Sequence, residues 1–231
     1  MLFALTSPHP SLSLHDFNKW YDTRHAPSRA ECPGVHSVSR FQLVEDAEGT
    51  QRVGSWTWLA MYELESEGAL QTPEYQKARE EDGDDESRMF DFLSRRVYTL
   101  LDDKKREDFA AFAATGKSRL MSIIGLPSEV SKELNNSESA NITVRESTTS
   151  ISSEQGWLRA SFWRLSTAAD PRTWEAQTDV PPLLVLSEFE DTSEARGSVA
   201  FARGWGSLLQ TAVENGSQPH ETALLTLWKQ F

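Results

Sequence analysis

Only one cysteine, Cys32, stands in 231 residues. An intramolecular disulfide and every multi-cysteine metal site are therefore excluded, and a reducing compartment is the simplest setting. No run of 18 apolar residues is present to span a bilayer, and the N-terminus lacks the basic flank and long apolar core of a secretory signal. Basic residues are scarce. The 23 Lys and Arg against 35 Asp and Glu give a formal charge of −12, which argues against nucleic acid or an anionic membrane as partner. A Gly-rich phosphate loop and a Gly-x-Ser-x-Gly elbow are missing. The five histidines, at 9, 15, 25, 36 and 220, include no i, i+4 pair and no His-x-His, so neither a metal nor an organic cofactor is expected. A cytoplasmic protein without a membrane partner is the expectation, and the Asn-x-Ser/Thr triplets at Asn135, Asn141 and Asn215 are then chance matches.

What is present is an order of elements. Met1 to Thr6 reads as a strand closed by Pro8-His9-Pro10. Ser13 with Asp16 forms a plausible capping box, and Phe17, Trp20, Tyr21, Arg24, His25 and Ser28 recur at helical spacing. Val35 to Val44 alternates as a half-buried strand, with Val35, Phe41 and Leu43 on one face and His36, Arg40 and Gln42 on the other. Trp56 to Leu64 is a third strand. Pro73 opens a helix expected to end at Arg79, the acidic run Glu80 to Glu86 is expected as a solvated loop, and Phe90 to Leu101 as a short helix and a fourth strand. The order is βαββαβ, the split βαβ arrangement of ferredoxin-like domains.

The same order returns roughly 120 residues later, which points to duplication. Arg119 to Gly125, Leu158 to Leu165, Leu183 to Glu190 and Thr222 to Trp228 read as strands, with helices at Pro127 to Leu134 and Thr192 to Glu214. Residues 1–108 and 115–231 are the expected repeats. The Ser- and Asn-rich insert at 135–156 is expected as a mobile surface loop.

Phe17-Asn18-Lys19-Trp20-Tyr21-Asp22-Thr23-Arg24-His25-Ala26-Pro27 resembles the Trp-Tyr-x-x-x-His-x-Pro signature of EthD-type dimeric α/β-barrel proteins. Cys32-Pro33-Gly34-Val35, Leu59-Ala60-Met61-Tyr62-Glu63-Leu64 and Thr72-Pro73-Glu74-Tyr75 resemble that family's entry to strand two, its third strand and the start of its second helix. Members from fungal natural-product pathways have the same look. The second half carries the strand pattern without the helix signature. The resemblance implies an α+β fold of two ferredoxin-like repeats, closing a barrel within one chain as an internal pseudo-dimer, either monomeric or weakly homodimeric. It also implies a cofactor-free pocket between sheet and helices, used by relatives for polyketide cyclisation, lactone isomerisation, dehydration or oxygen-dependent oxidation. Some relatives handle haem through a helix histidine, for which His25 is the counterpart.

Four residues are candidates for catalysis and four for substrate binding. His25 shares the apolar helix face with Phe17 and Tyr21, where a histidine can shuttle a proton or serve the fold alone. His36 and Arg40, if their side of strand two lines a pocket, supply an acid or base and a cation for an enolate; if it faces water they are surface residues. Trp58 and Tyr62, with Trp56 and Ala60, make an aromatic strand face suited to a flat substrate or to core packing, and the Tyr62 hydroxyl can donate to a carbonyl. Tyr98 and Trp163 are further binding candidates, and Trp157, Trp174, Trp205 and Trp228 could face the same cavity. The expected activity is cofactor-independent lyase, isomerase or cyclase chemistry on a polyketide-like or aromatic metabolite of secondary metabolism. A non-catalytic small-molecule binding or scaffold protein and a cofactor-free monooxygenase are the alternatives.

Overall fold

The computed structural model describes residues 1–44, 55–115, 117–126, 156–169, 180–192 and 221–231, without the side chains of 84, 87, 168 and 169. The helices expected at Pro127 to Leu134 and Thr192 to Glu214, the insert at 135–156, Trp174 and Trp205 lie outside the described residues, apart from Gly156 and Thr192.

Eight strands form a closed antiparallel barrel: β1 (Leu2–Pro8), β2 (Val35–Leu43), β3 (Trp58–Leu64), β4 (Phe90–Lys105), β5 (Arg119–Leu126), β6 (Trp157–Ala169), β7 (Leu183–Glu190) and β8 (Glu221–Gln230). Around it they run β1-β3-β2-β8-β5-β7-β6-β4. The first four thus stand in the order β4-β1-β3-β2 and the last four in the matching order β8-β5-β7-β6. β4 joins β6 on one side, and β2 joins β8 on the other.

Strand alternation gives each strand one side chain set for the barrel interior and one for the outer face. The interior is a packed apolar core that includes Phe3, Leu5, Phe41, Leu59, Met61, Met121, Ile123, Leu184, Leu186 and Leu225. On the outer face of the first half, Leu2, Ala4, Val38, Trp58, Ala60, Tyr62 and Val97 meet the helices. Trp56 departs from the expected stripe. It precedes β3 and joins the interior core, so it does not share a face with Trp58 and Tyr62.

Helix α1 (Leu14–Trp20) starts where Ser13 Oγ accepts from the Asp16 backbone N–H at 3.0 Å, satisfying a donor that the first turn leaves unpaired. It runs through a π-helical turn, Tyr21–His25, into α2 (Ala26–Ala30). Gly34 then turns the chain into β2 with φ +79, and a Cβ there would stand 2.9 Å from that of Ala69. Two features favour glycine at this position, backbone conformation and close approach.

Helix α3 (Pro73–Met89) corrects the expected end at Arg79. Thr72 caps it, Pro73 fills its first turn, and it continues through the whole acidic run for 17 residues. The run is not a solvated loop, because carboxylates in it meet cations of the π-helical turn and the sheet: Arg24 holds Asp85 at 2.6 Å, and Arg95 holds Glu86 at 2.7 Å. With the charge compensated, the good helix propensity of glutamate prevails. β4 also replaces an expected short helix: Phe90 is already in strand, and the strand runs 16 residues to Lys105, past the expected end at Leu101. A 3-10 turn, Glu67–Gln71, precedes α3, and α4 (Phe109–Ala114) follows β4. Among the described residues, no helix is long and apolar enough to cross a membrane.

Inside the barrel, Arg96 of β4 forms an ion pair with Glu221 of β8, and Glu221 accepts from Trp56 Nε1 at 2.9 Å. Both charged residues are buried. Removing one partner of such a pair leaves an uncompensated charge away from water. Glu221→Leu should therefore lower unfolding free energy by roughly 3 kcal/mol or more in a urea titration. A change under about 0.5 kcal/mol, within the range of ordinary surface substitutions, would show that the pair contributes nothing to holding the halves together.

Candidate functional site

The π-helical turn places Tyr21 and His25 together beneath Trp20. The His25 ring lies 4.7 Å from both the Trp20 and the Tyr21 ring, centroid to centroid, and only 4% of the residue is exposed. Across from it, α3 presents Asp82. His25 Nδ1 donates to Asp82 Oδ2 at 2.9 Å, the arrangement that fixes an imidazole tautomer and leaves Nε2 as the basic nitrogen.

Burial holds the His25 pKa below its ordinary value, outweighing the Asp82 hydrogen bond that acts to raise it. Burial pushes the Asp82 carboxyl upward, but the His25 hydrogen bond and the Arg29 and Arg24 charges pull it below the usual carboxylate value. The pair is thus a neutral imidazole donating to a carboxylate. Arg29, also buried, lies with Nη2 3.2 Å from Asp82 and 3.7 Å from Glu86. That Nη2 makes ionic contact without a directed hydrogen bond. Glu86 is shared further, standing 4.0 Å from His25 Nδ1 and taking both hydrogen bonds of Arg95 Nη2.

Under this network the sheet contributes Arg40, Trp58 and Tyr62. The Tyr21 and Tyr62 hydroxyls are 3.2 Å apart, and burial raises the pKa of both phenols, so each remains protonated at neutral pH. The Arg40 guanidinium lies 4.0 Å from the Tyr21 ring centroid and 4.6 Å from that of Trp58, a cation between two aromatic faces. It pairs with Asp22 and donates to Asn18 Oδ1 at 3.0 Å. Both terminal nitrogens are thereby engaged, and Arg40 ties α1 and the π-turn to β2.

Five of the eight expected site residues therefore share one layer between sheet and helices: Tyr21, His25, Arg40, Trp58 and Tyr62. His36 does not join them. A bulge between Val35 and Ser37 in the pairing with β3 breaks the alternation, so Val35 and Val38 both pack toward the helices, while His36 is exposed. Tyr98 and Trp163 belong to the barrel interior. With His36 they line a cavity of about 430 Å³ at one barrel mouth, together with Glu63, Asp103 and Arg159. Several polar groups of that mouth are already engaged: Tyr98 donates to the Pro181 carbonyl, Trp163 to Ser161, and Arg159 to Asp103 and Glu63. The two other second-half tryptophans among the described residues are placed differently. Trp157 packs in a separate core cluster. Trp228, 47% exposed, stands edge-on to Trp58 at 5.4 Å and donates to Asp22.

A second cavity, about 210 Å³, lies in the layer itself, between the outer sheet face and the start of α3. Leu2, Val97 and Arg95 line it from the sheet, and Leu70, Tyr75 and Arg79 from the other wall. His25 is not in that wall. It reaches Arg95 through Glu86. The sequence reading missed Asp82, Glu86, Arg29 and Arg95, although Asp82 and Glu86 at i, i+4 lie on one helix face, and Arg24, His25 and Arg29 form a basic stripe of matching length. Among the described residues, no three His, Cys, Asp or Glu cluster to hold a metal.

No protein-family model and no curated protein sequence matches the chain. Solved structures do resemble it. A candidate monooxygenase from Fusobacterium nucleatum subsp. nucleatum is similar over 99% of this chain and 91% of its own, at 9% identity and a TM-score of 0.56. An anthrone oxidase-like protein is similar over 100% of this chain and 91% of its own, at 10% identity and a TM-score of 0.55. At these identities the likeness is one of fold, the dimeric α+β barrel. The EthD membership that the helix signature suggests finds no matching family model.

Acid should loosen this layer. His25 binds its proton less readily when folded, so below its ordinary pKa of 6.5 the unfolded chain holds the extra proton and stability falls with pH until the folded pKa is reached. Asp82, lowered from 3.8, adds a second loss further into acid. Melting temperature should fall between about pH 7 and 5, and His25→Gln should flatten that slope. Equal slopes in both proteins would assign the titration to another group.

Proposed function

We propose that the chain is a cofactor-independent enzyme acting by proton transfer on a small aromatic or polyketide-like molecule, as a lyase, isomerase or cyclase. The observation that carries the reading is the cavity between sheet and helices, with a buried neutral histidine, its carboxylate partner and a tyrosine hydroxyl pair in the same layer. In this proposal His25 Nε2 is the proton acceptor, Tyr62 donates to the developing oxyanion, and Arg40, its nitrogens engaged, orients Tyr21. His36, Tyr98 and Trp163 stand outside this layer, at the barrel mouth, and take no part in the proposal. The likeness to a candidate monooxygenase and an anthrone oxidase-like protein is of fold only, and an oxygen-consuming form of the reaction is tested beside the non-oxidative one. We also infer that the halves are two ferredoxin-like copies, residues 1–108 and 115–231, because strand order repeats and the outward-facing pair Leu2–Tyr62 has a counterpart in Ser122–Ser187.

A second reading, a binding protein without turnover, is favoured by the deep burial of His25 and its absence from the cavity wall. A panel of enolisable polyketide-like compounds and activated phenols, followed by product chromatography with an oxygen electrode, separates the readings. Turnover should appear and fall about 100-fold in His25→Gln, the usual size of a lost acid or base. Binding without turnover establishes the second reading, and stoichiometric oxygen uptake the oxidative form. Turnover per folded molecule unchanged in His25→Gln, with a lower melting temperature, makes His25 a core residue.

A further inference from the structure

We propose that the cavity between sheet and helices takes a small organic anion, a carboxylate or enolate on a compact apolar body, and that Arg95 is the group that holds it. The inference rests on the proposed function only for the place where a substrate sits.

Adjacent residues on β4 send their side chains to opposite faces, Arg96 into the barrel toward Glu221 and Arg95 outward into the cavity. One nitrogen of Arg95, Nη2, donates to both oxygens of Glu86 at 2.7 and 2.9 Å. That fixes the guanidinium by one corner. Its Nε and Nη1 meet no acceptor among the described residues, while the side chain keeps 19% exposure and lines the cavity. A guanidinium carries five N–H donors in a rigid fork, and those on Nε and Nη1 remain for a further acceptor.

The surroundings select its charge. Arg79, on the facing helix wall, brings a second cation to the lining, and the acid in the lining, Glu67, is exposed. Burial, and after it the like charge of Arg95, holds Arg79 below its ordinary pKa. An anion in the cavity meets the Arg95 donors and adds to the relief of that repulsion that Glu86 already gives. A neutral carbonyl meets those donors without the charge that strengthens the bonds, and an organic cation meets two like charges. Leu2, Leu70 and Val97 supply the apolar surface, and about 210 Å³ restricts the body to a compact one.

Calorimetric titration of the full chain with benzoate, its neutral counterpart benzamide and the cation benzylamine tests the assignment. Benzoate should bind at least about tenfold more tightly than the other two, and Arg95→Gln should weaken it by at least about tenfold while leaving benzamide unchanged, the size expected for lost charge-assisted hydrogen bonds. Arg95→Gln strands Glu86, so the Glu86→Gln/Arg95→Gln pair guards against misfolding. Thr167→Trp, in the cavity lining and outside the Arg95 and Glu86 hydrogen bonds, should block benzoate in a folded protein. Equal binding of benzoate and benzamide, or benzoate affinity that survives both Arg95→Gln and Thr167→Trp, overturns the inference. Its failure is separable from that of the enzymatic reading. Benzoate binding through Arg95 with no compound turned over leaves the anion site and removes the enzyme; turnover indifferent to Arg95→Gln and to added benzoate removes the anion site and leaves the enzyme.

Discussion

The backbone hydrogen bonds that join β4 to β6 and β2 to β8 close the sheet on itself, and with closure goes every exposed strand edge. An open four-stranded sheet from either half would present two rows of unpaired N–H and C=O groups. Here each half terminates the other. Closure also decides where polar chemistry can stand: the interior is filled by side chains, so the room for a ligand lies at the barrel mouth or outside the sheet, beneath the helices.

The outer layer carries several buried charges, and it tolerates them because each has an opposite charge within reach. Asp82 meets Arg24 and Arg29, beside the hydrogen bond from neutral His25; Glu86 meets Arg29 and Arg95; Asp22 meets Arg40. The helices are thus held to the sheet by ion pairs as well as by Phe17, Trp20 and Tyr75. Such a layer packs less forgivingly than an apolar one, since moving α3 separates charges rather than sliding methyl groups. The same property gives it chemical use, because polar groups without water around them act on whatever enters.

Strand positions were legible in the sequence because alternation is local: Val35, Phe41 and Leu43 announce a strand without knowledge of its neighbours. Faces were less legible. One inserted residue at the Val35 to Ser37 bulge moved His36 away from Arg40, and no residue type in that stretch marks the bulge. The acidic run was misread for a related reason. Six carboxylates in seven positions look self-repelling until the cations that neutralise them are known, and Arg24, Arg29 and Arg95 come from distant points in the chain. Tyr21 and His25 could be named in advance from their helical spacing, and Trp58 and Tyr62 from strand alternation. Arg95, whose neighbour Arg96 points the other way, could not.

The turn Glu67–Gln71 has a place in two cavities that adjoin the first half. Glu67 lines the cavity under the helices and the one at the barrel mouth, and Leu2 at the start of β1 and Met1 before it, packed on opposite sides of the sheet, border one space each. A single wall therefore serves two rooms. Lengthening or shortening this turn cannot enlarge one without reshaping the other, so variation in ligand size among barrels of this build should come from the strand residues facing each space rather than from this turn.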